Sequence, residues 1–154
     1  MKKLSLIPLL SLIFMLNVAS MCSDDDDSNT SADPTPVINT VTSGTWRITF
    51  YEDSGVDETY HFTGYNFTFG ASNVLTASNG TNTYTGTWSV TNSDSNDDSP
   101  SNDLDFNILF ATPAVFADEL SDDWDILSRT ATKIELVDVS GGNGGTDYLT
   151  LEKN

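Results

Sequence analysis

Thr83-Tyr84-Thr85-Gly86-Thr87-Trp88-Ser89-Val90-Thr91 and, after a polar stretch, Leu104-Asp105-Phe106-Asn107-Ile108-Leu109-Phe110 decide the fold class. In the first, Tyr84, Gly86, Trp88 and Val90 alternate with Thr and Ser; in the second, Leu104, Phe106, Ile108 and Phe110 alternate with Asp105, Asn107 and Leu109. A period of two places one apolar and one polar face on each segment, the pattern of a half-buried antiparallel strand. The same pattern runs outward in both directions. Trp46, Ile48 and Phe50 alternate with Arg47, Thr49 and Tyr51; Tyr60 and Phe62 open a further segment, with Gly64 as a bend before Phe67 and Phe69. Val74 to Ala77, Trp124 to Leu127, Lys133 to Val139 and Tyr148 to Glu152 complete the set. Asn79-Gly80 and the glycine-rich run from Gly141 to Gly145 read as turns, since both residue types tolerate positive φ. Pro113 to Leu120 is the one segment that predicts a helix, with proline in the first turn where its missing N–H costs nothing. The expectation is an all-β domain, a single antiparallel meander of about eight strands closed into a barrel, with one short helix near 113–120. A two-sheet sandwich is the alternative.

The segment before the strands is of another kind. Lys2 and Lys3 precede an apolar run from Leu4 to Leu16, and the lone cysteine, Cys22, is followed by Ser23 and Asp24 to Asp27. A basic start, a greasy middle and a cleavage-like end describe an export signal. The apolar run is shorter than the ~20 residues of a spanning helix. With its cysteine at the cleavage position the leader resembles a bacterial lipoprotein signal, which implies lipidation of Cys22. The Ser-Asp run resembles the acidic tether that sends some lipoproteins to the outer face of the outer membrane. The expected organisation is a signal peptide over 1–21, a lipidated cysteine with a flexible acidic tether over 22–36, and a barrel domain over 37–154. The membrane is then a partner through acyl chains, each buried CH₂ contributing about 0.8 kcal/mol.

Charge narrows the functional classes. The chain carries 23 acidic against 6 basic residues, a formal net charge of −17. Past the leader the bases are Arg47, Arg129, Lys133 and Lys153. Such a chain repels phosphate backbones, so no nucleic-acid partner is expected. With Cys22 acylated no thiol is left for a disulfide, and the core alone must hold the fold.

Gly44-Thr45-Trp46 opens the first strand, Phe62-x-Gly64-Tyr65-x-Phe67-x-Phe69 and Gly86-Thr87-Trp88 follow, and Asp147-Tyr148-Leu149-Thr150-Leu151-Glu152-Lys153 ends the chain's strands. Together these resemble a lipocalin-like domain of bacterial surface lipoproteins over residues 43 to 153. The resemblance implies a barrel closed at one end by Trp46, behind Gly44, with a late basic residue stacked on the indole; Arg129 is the candidate. It also implies a small apolar ligand at the barrel mouth, for which Tyr60, Phe62, Phe67, Tyr84 and Trp88 are the candidate lining. The competing expectation is an envelope module with a filled core that binds a protein or glycan partner.

No catalytic constellation accompanies these features, and no cofactor is expected. His61, with Glu58 three residues earlier, is the single histidine and reads as a half-exposed strand residue. A His-ligated zinc site is expected to need more histidines or thiolates. Asp97, Asp98 and Asp103 are the best oxygen donors for a weak calcium site, but their loop lacks the glycine and late glutamate of a calcium loop. The acidic cluster Asp118, Glu119, Asp122, Asp123 and Asp125 reads as helix-end capping and hydrated surface.

Overall fold

The computed structural model describes residues 32–92, 104–140 and 144–154. Cys22, the leader and the aspartates Asp97, Asp98 and Asp103 lie outside the described residues. Helix α1 (Thr35–Val41) leads into strand β1 (Trp46–Asp53), a two-residue strand β2 (Val56–Asp57) and a 3₁₀ turn (Thr59–Phe62). Strand β3 (Asn66–Phe69), a second 3₁₀ turn (Ala71–Asn73), β4 (Val74–Ser78), β5 (Thr83–Asn92) and β6 (Leu104–Phe110) follow. Helix α2 (Ala114–Glu119) connects to β7 (Asp122–Arg129), β8 (Lys133–Val139) and β9 (Thr146–Lys153).

Sheet order from β3 to β9 is sequential, each strand antiparallel to the last, and β1 pairs with both β3 and β9. The sheet therefore closes into an eight-stranded barrel, with β2 as an extra strand hairpinned onto β1. Closure removes the exposed edges that an open sheet would offer for aggregation. The alternation of β5 puts Gly86, Trp88 and Val90 inside and leaves Thr85, Thr87 and Thr91 outside.

Four local readings are corrected. Phe50 does not point inward: a bulge between Ile48 and Phe50 shifts the register against β9, and Tyr51, only 2% exposed, takes the inward position. Tyr60 to Phe62 is a 3₁₀ turn rather than a strand, which sends Phe62 into the core and Tyr60 outward. The Asn79-Gly80 connection is wider than a two-residue hairpin, because Ser78 pairs with Thr83. The Asn79 Oδ1 accepts from the backbone N–H groups of Thr81 and Asn82 at 3.0 and 2.8 Å and holds that turn. Lastly, α2 is joined by α1, which begins within the segment expected to be a flexible tether; Val37 and Val41, one turn apart, are both buried.

Strand directions place the two helices at opposite ends of the barrel. Helix α1 enters β1 at the Trp46 end, whereas α2 and the Thr59–Phe62 turn bridge strands at the other. At the first end the Trp46 indole N–H donates to the Val41 carbonyl at 2.8 Å, and Arg129 Nη1 donates to Thr40 Oγ1 at 2.8 Å. At the second, Ser121 Oγ accepts from the Phe110 N–H at 2.9 Å and donates to the Phe116 carbonyl at 3.3 Å, tying α2 to the end of β6.

Candidate functional site

Gly44 lies just before β1 and Trp46 begins it, at the barrel end that carries α1. Trp46 is fully buried, and Gly44 has φ +125°, a conformation that side-chain-bearing residues rarely adopt. A Cβ at Gly44 would come within 2.9 Å of Lys153 Cε. The missing side chain thus gives the lysine stem its path across the motif. Lys153 Nζ sits 5.9 Å from the centre of the Trp46 ring and donates to Ser43 Oγ at 2.9 Å. The cation over Trp46 is therefore Lys153, and the expected stacking by Arg129 is corrected: that guanidinium is turned to Thr40.

The five candidate ligand-lining residues separate into three places. Phe62, Phe67 and Tyr84 converge on one ring, that of Phe116 from α2, with centroid distances of 5.4, 6.0 and 5.5 Å. Tyr65 at 5.1 Å and Phe110 at 5.2 Å complete the enclosure, and Phe116 is 1% exposed. Trp88 belongs to another layer, with Phe69 and Phe106, and its indole N–H donates to the Gly70 carbonyl at 3.0 Å. Tyr60 is 67% exposed and lies against the His61 ring outside the barrel.

Aromatic pairs of this kind, three of the five around Phe116 edge-to-face, contribute about 0.5–1.5 kcal/mol each beyond area burial. Burying Phe116 itself contributes roughly 1.5–3 kcal/mol. Three of the five candidate lining residues thus pack around a side chain of the protein itself. Pro113-Ala114-Val115-Phe116 carried the signal for this, as a helix start with one large aromatic, but nothing local tells which side of the sheet that ring faces.

Beside this layer, on the rim, three polar side chains meet. Glu58 precedes the 3₁₀ turn, His61 lies within it and Glu119 ends α2. His61 Nδ1 is 2.8 Å from the Glu119 carboxylate and 4.0 Å from Glu58 Oε2. Burial holds the Glu119 carboxyl above its ordinary value against the opposing hydrogen bond from His61, with Glu58 and Asp53 adding repulsion. Burial likewise raises the Tyr51 phenol, followed by the fields of Asp147 and Glu119. The acidic cluster is thus divided: Glu119 turns to His61, while Asp122 caps the N–H of Asp123 at 2.9 Å.

No known family profile matches the chain, and no curated protein does. A solved structure of a DUF4847 family protein from Bacteroides vulgatus is similar to it at 18% identity and a TM-score of 0.46, covering 77% of this chain and 97% of that one.

Proposed function

We propose that the chain is a non-catalytic surface lipoprotein, held at the outer membrane by acylated Cys22. In this reading its barrel is a filled module that presents its exterior to a protein or glycan partner. The packing of Phe62, Tyr65, Phe67, Tyr84 and Phe110 around Phe116 carries this reading, because it leaves the predicted ligand position to the protein's own ring. A helix on each end of the barrel supports it further. A carrier needs an apolar cavity large enough to bury most of its ligand.

Native mass spectrometry of the protein extracted gently from its own envelope tests the reading. A polypeptide mass carrying only its acyl modification is expected. An additional apolar molecule, removed by organic extraction, would instead establish a carrier.

A further inference from the structure

Glu58, His61 and Glu119 offer one imidazole nitrogen and two carboxylates whose donor atoms all lie within 4.8 Å of one another. We propose that this triad binds a divalent transition-metal ion of the zinc class, fastening α2 to the Thr59–Phe62 turn over the Phe116 layer.

The expectation that zinc needs more histidines or thiolates is met here by two carboxylates, which are zinc ligands too, and the donor chemistry favours that class. Imidazole with carboxylates suits borderline ions, whereas calcium takes oxygen donors. Tetrahedral ligands on zinc stand roughly 3.3 Å apart, given metal–ligand distances near 2.0–2.2 Å. The two separations from His61, 2.8 and 4.0 Å, bracket that value, and the two carboxylates lie within 4.8 Å of each other, so side-chain rotation is what brings the three donors onto one ion. In the metal-free arrangement His61 Nδ1 and a Glu119 carboxylate oxygen share one hydrogen bond of 2.8 Å. Metal binding puts the ion where that proton lies, and the imidazole keeps its remaining hydrogen on Nε2. Water fills the fourth position on the open side.

The electrostatics also lack an internal solution. Two carboxylates face one histidine, with the charge of Asp53 nearby. The basic side chains among the described residues are committed elsewhere: Arg47 to Glu152, Arg129 to Thr40, Lys133 to Glu135 and Lys153 to Ser43. Glu119 is the most enclosed of the three, its side chain 14% exposed. A partly buried carboxylate with a second one beside it is stabilised by a divalent ion more than by a single imidazole. This is a site of few ligands built across two connections.

The test is a zinc titration of the untagged full chain in mild detergent, followed by calorimetry, together with electron paramagnetic resonance of the Cu²⁺-loaded protein. A single zinc site is expected. Glu119→Gln and Glu58→Gln should each raise its Kd by roughly tenfold or more, as even indirect partners of a metal commonly do; Glu52→Gln should leave it unchanged. Because the chain has one histidine, nitrogen hyperfine structure from imidazole in the copper spectrum reports His61 alone. Near-UV circular dichroism of each variant confirms the fold, and should Glu119→Gln not fold, the Glu58→Gln variant and the copper spectrum decide. Absence of a zinc site in the wild-type chain, zinc binding untouched by the Gln variants, or an all-oxygen copper spectrum would each overturn the proposal.

Discussion

Phe62 and Phe116 pack at 5.4 Å, and through that contact the connection after β1 and the connection after β6 close the same end of the barrel. Neither residue lies on a strand. The end that the lipocalin resemblance would leave as a mouth is shut by two short helical segments, each contributing one phenylalanine.

Phe116→Ala removes the ring that the surrounding aromatics enclose. A loss of about 3–5 kcal/mol in unfolding free energy is expected, as for other buried Phe→Ala changes, with Phe116→Leu costing clearly less. Equilibrium urea unfolding of the two variants against wild type checks it; equal losses would mean that the ring itself is not what fills the space.

The cation that matters at the other end is Lys153. A double-mutant cycle between Trp46→Leu and Lys153→Met should give a coupling of about 0.5–1 kcal/mol, the size of a partly exposed cation–π contact. The corresponding cycle with Arg129→Met should give a coupling close to zero. The reverse order of the two couplings would restore Arg129 as the stacking partner.

Gly86 is where β5 admits the Phe110 ring. A Cβ there would overlap the Leu109 carbonyl oxygen and stand 2.8 Å from Phe110 Cδ1. Gly86→Ala should therefore destabilise the domain by about 1–3 kcal/mol, the range of overpacked cores. Thermal unfolding measures this, and an unshifted midpoint would show that the strand pair moves apart at no cost.

Stability should rise as the solution is made mildly acidic. Burial raises the Asp122 carboxyl to about 6 and holds those of Glu119 and Asp138 above their ordinary values, Asp138 also feeling Asp147, Asp123 and Asp125. Between the unfolded and folded values the native state holds a proton that the unfolded chain has released, so protonation favours folding there. The contribution is present below the ordinary carboxylate range and is lost as pH rises through the raised values. The net charge of −17 acts in the same sense, through self-repulsion. Urea unfolding at about pH 5.5 should give a higher midpoint than at about pH 8. In the Glu119→Gln variant the difference should shrink.

The strands were legible because each carries its own period of two: Gly86, Trp88 and Val90, or Phe106, Ile108 and Phe110, announce their face without reference to a partner. Phe50 and Tyr51 were not, because the bulge that exchanges them is set by the pairing with Leu149 and Thr150 about a hundred residues later. Helix α1 escaped notice since Thr35-Pro36-Val37-Ile38-Asn39-Thr40-Val41 is rich in β-branched residues and is stabilised by packing Val37 and Val41, not by propensity. The meeting of His61 with Glu119 joins positions 58 apart and leaves no local trace. Glu58, three residues from His61, was the half of the triad that the chain displays.

In the proposed reading the protein's own Phe116 occupies the place of a ligand. Uptake of a small apolar fluorophore, compared between the wild-type chain and Phe116→Ala at a temperature where both are folded, tests it most directly. No saturable binding by wild type and a new site in the variant are expected, since a cavity lined by apolar side chains accepts apolar guests. Saturable binding by wild type that Phe116→Ala leaves unchanged or weakens would contradict it, and would make the barrel a carrier.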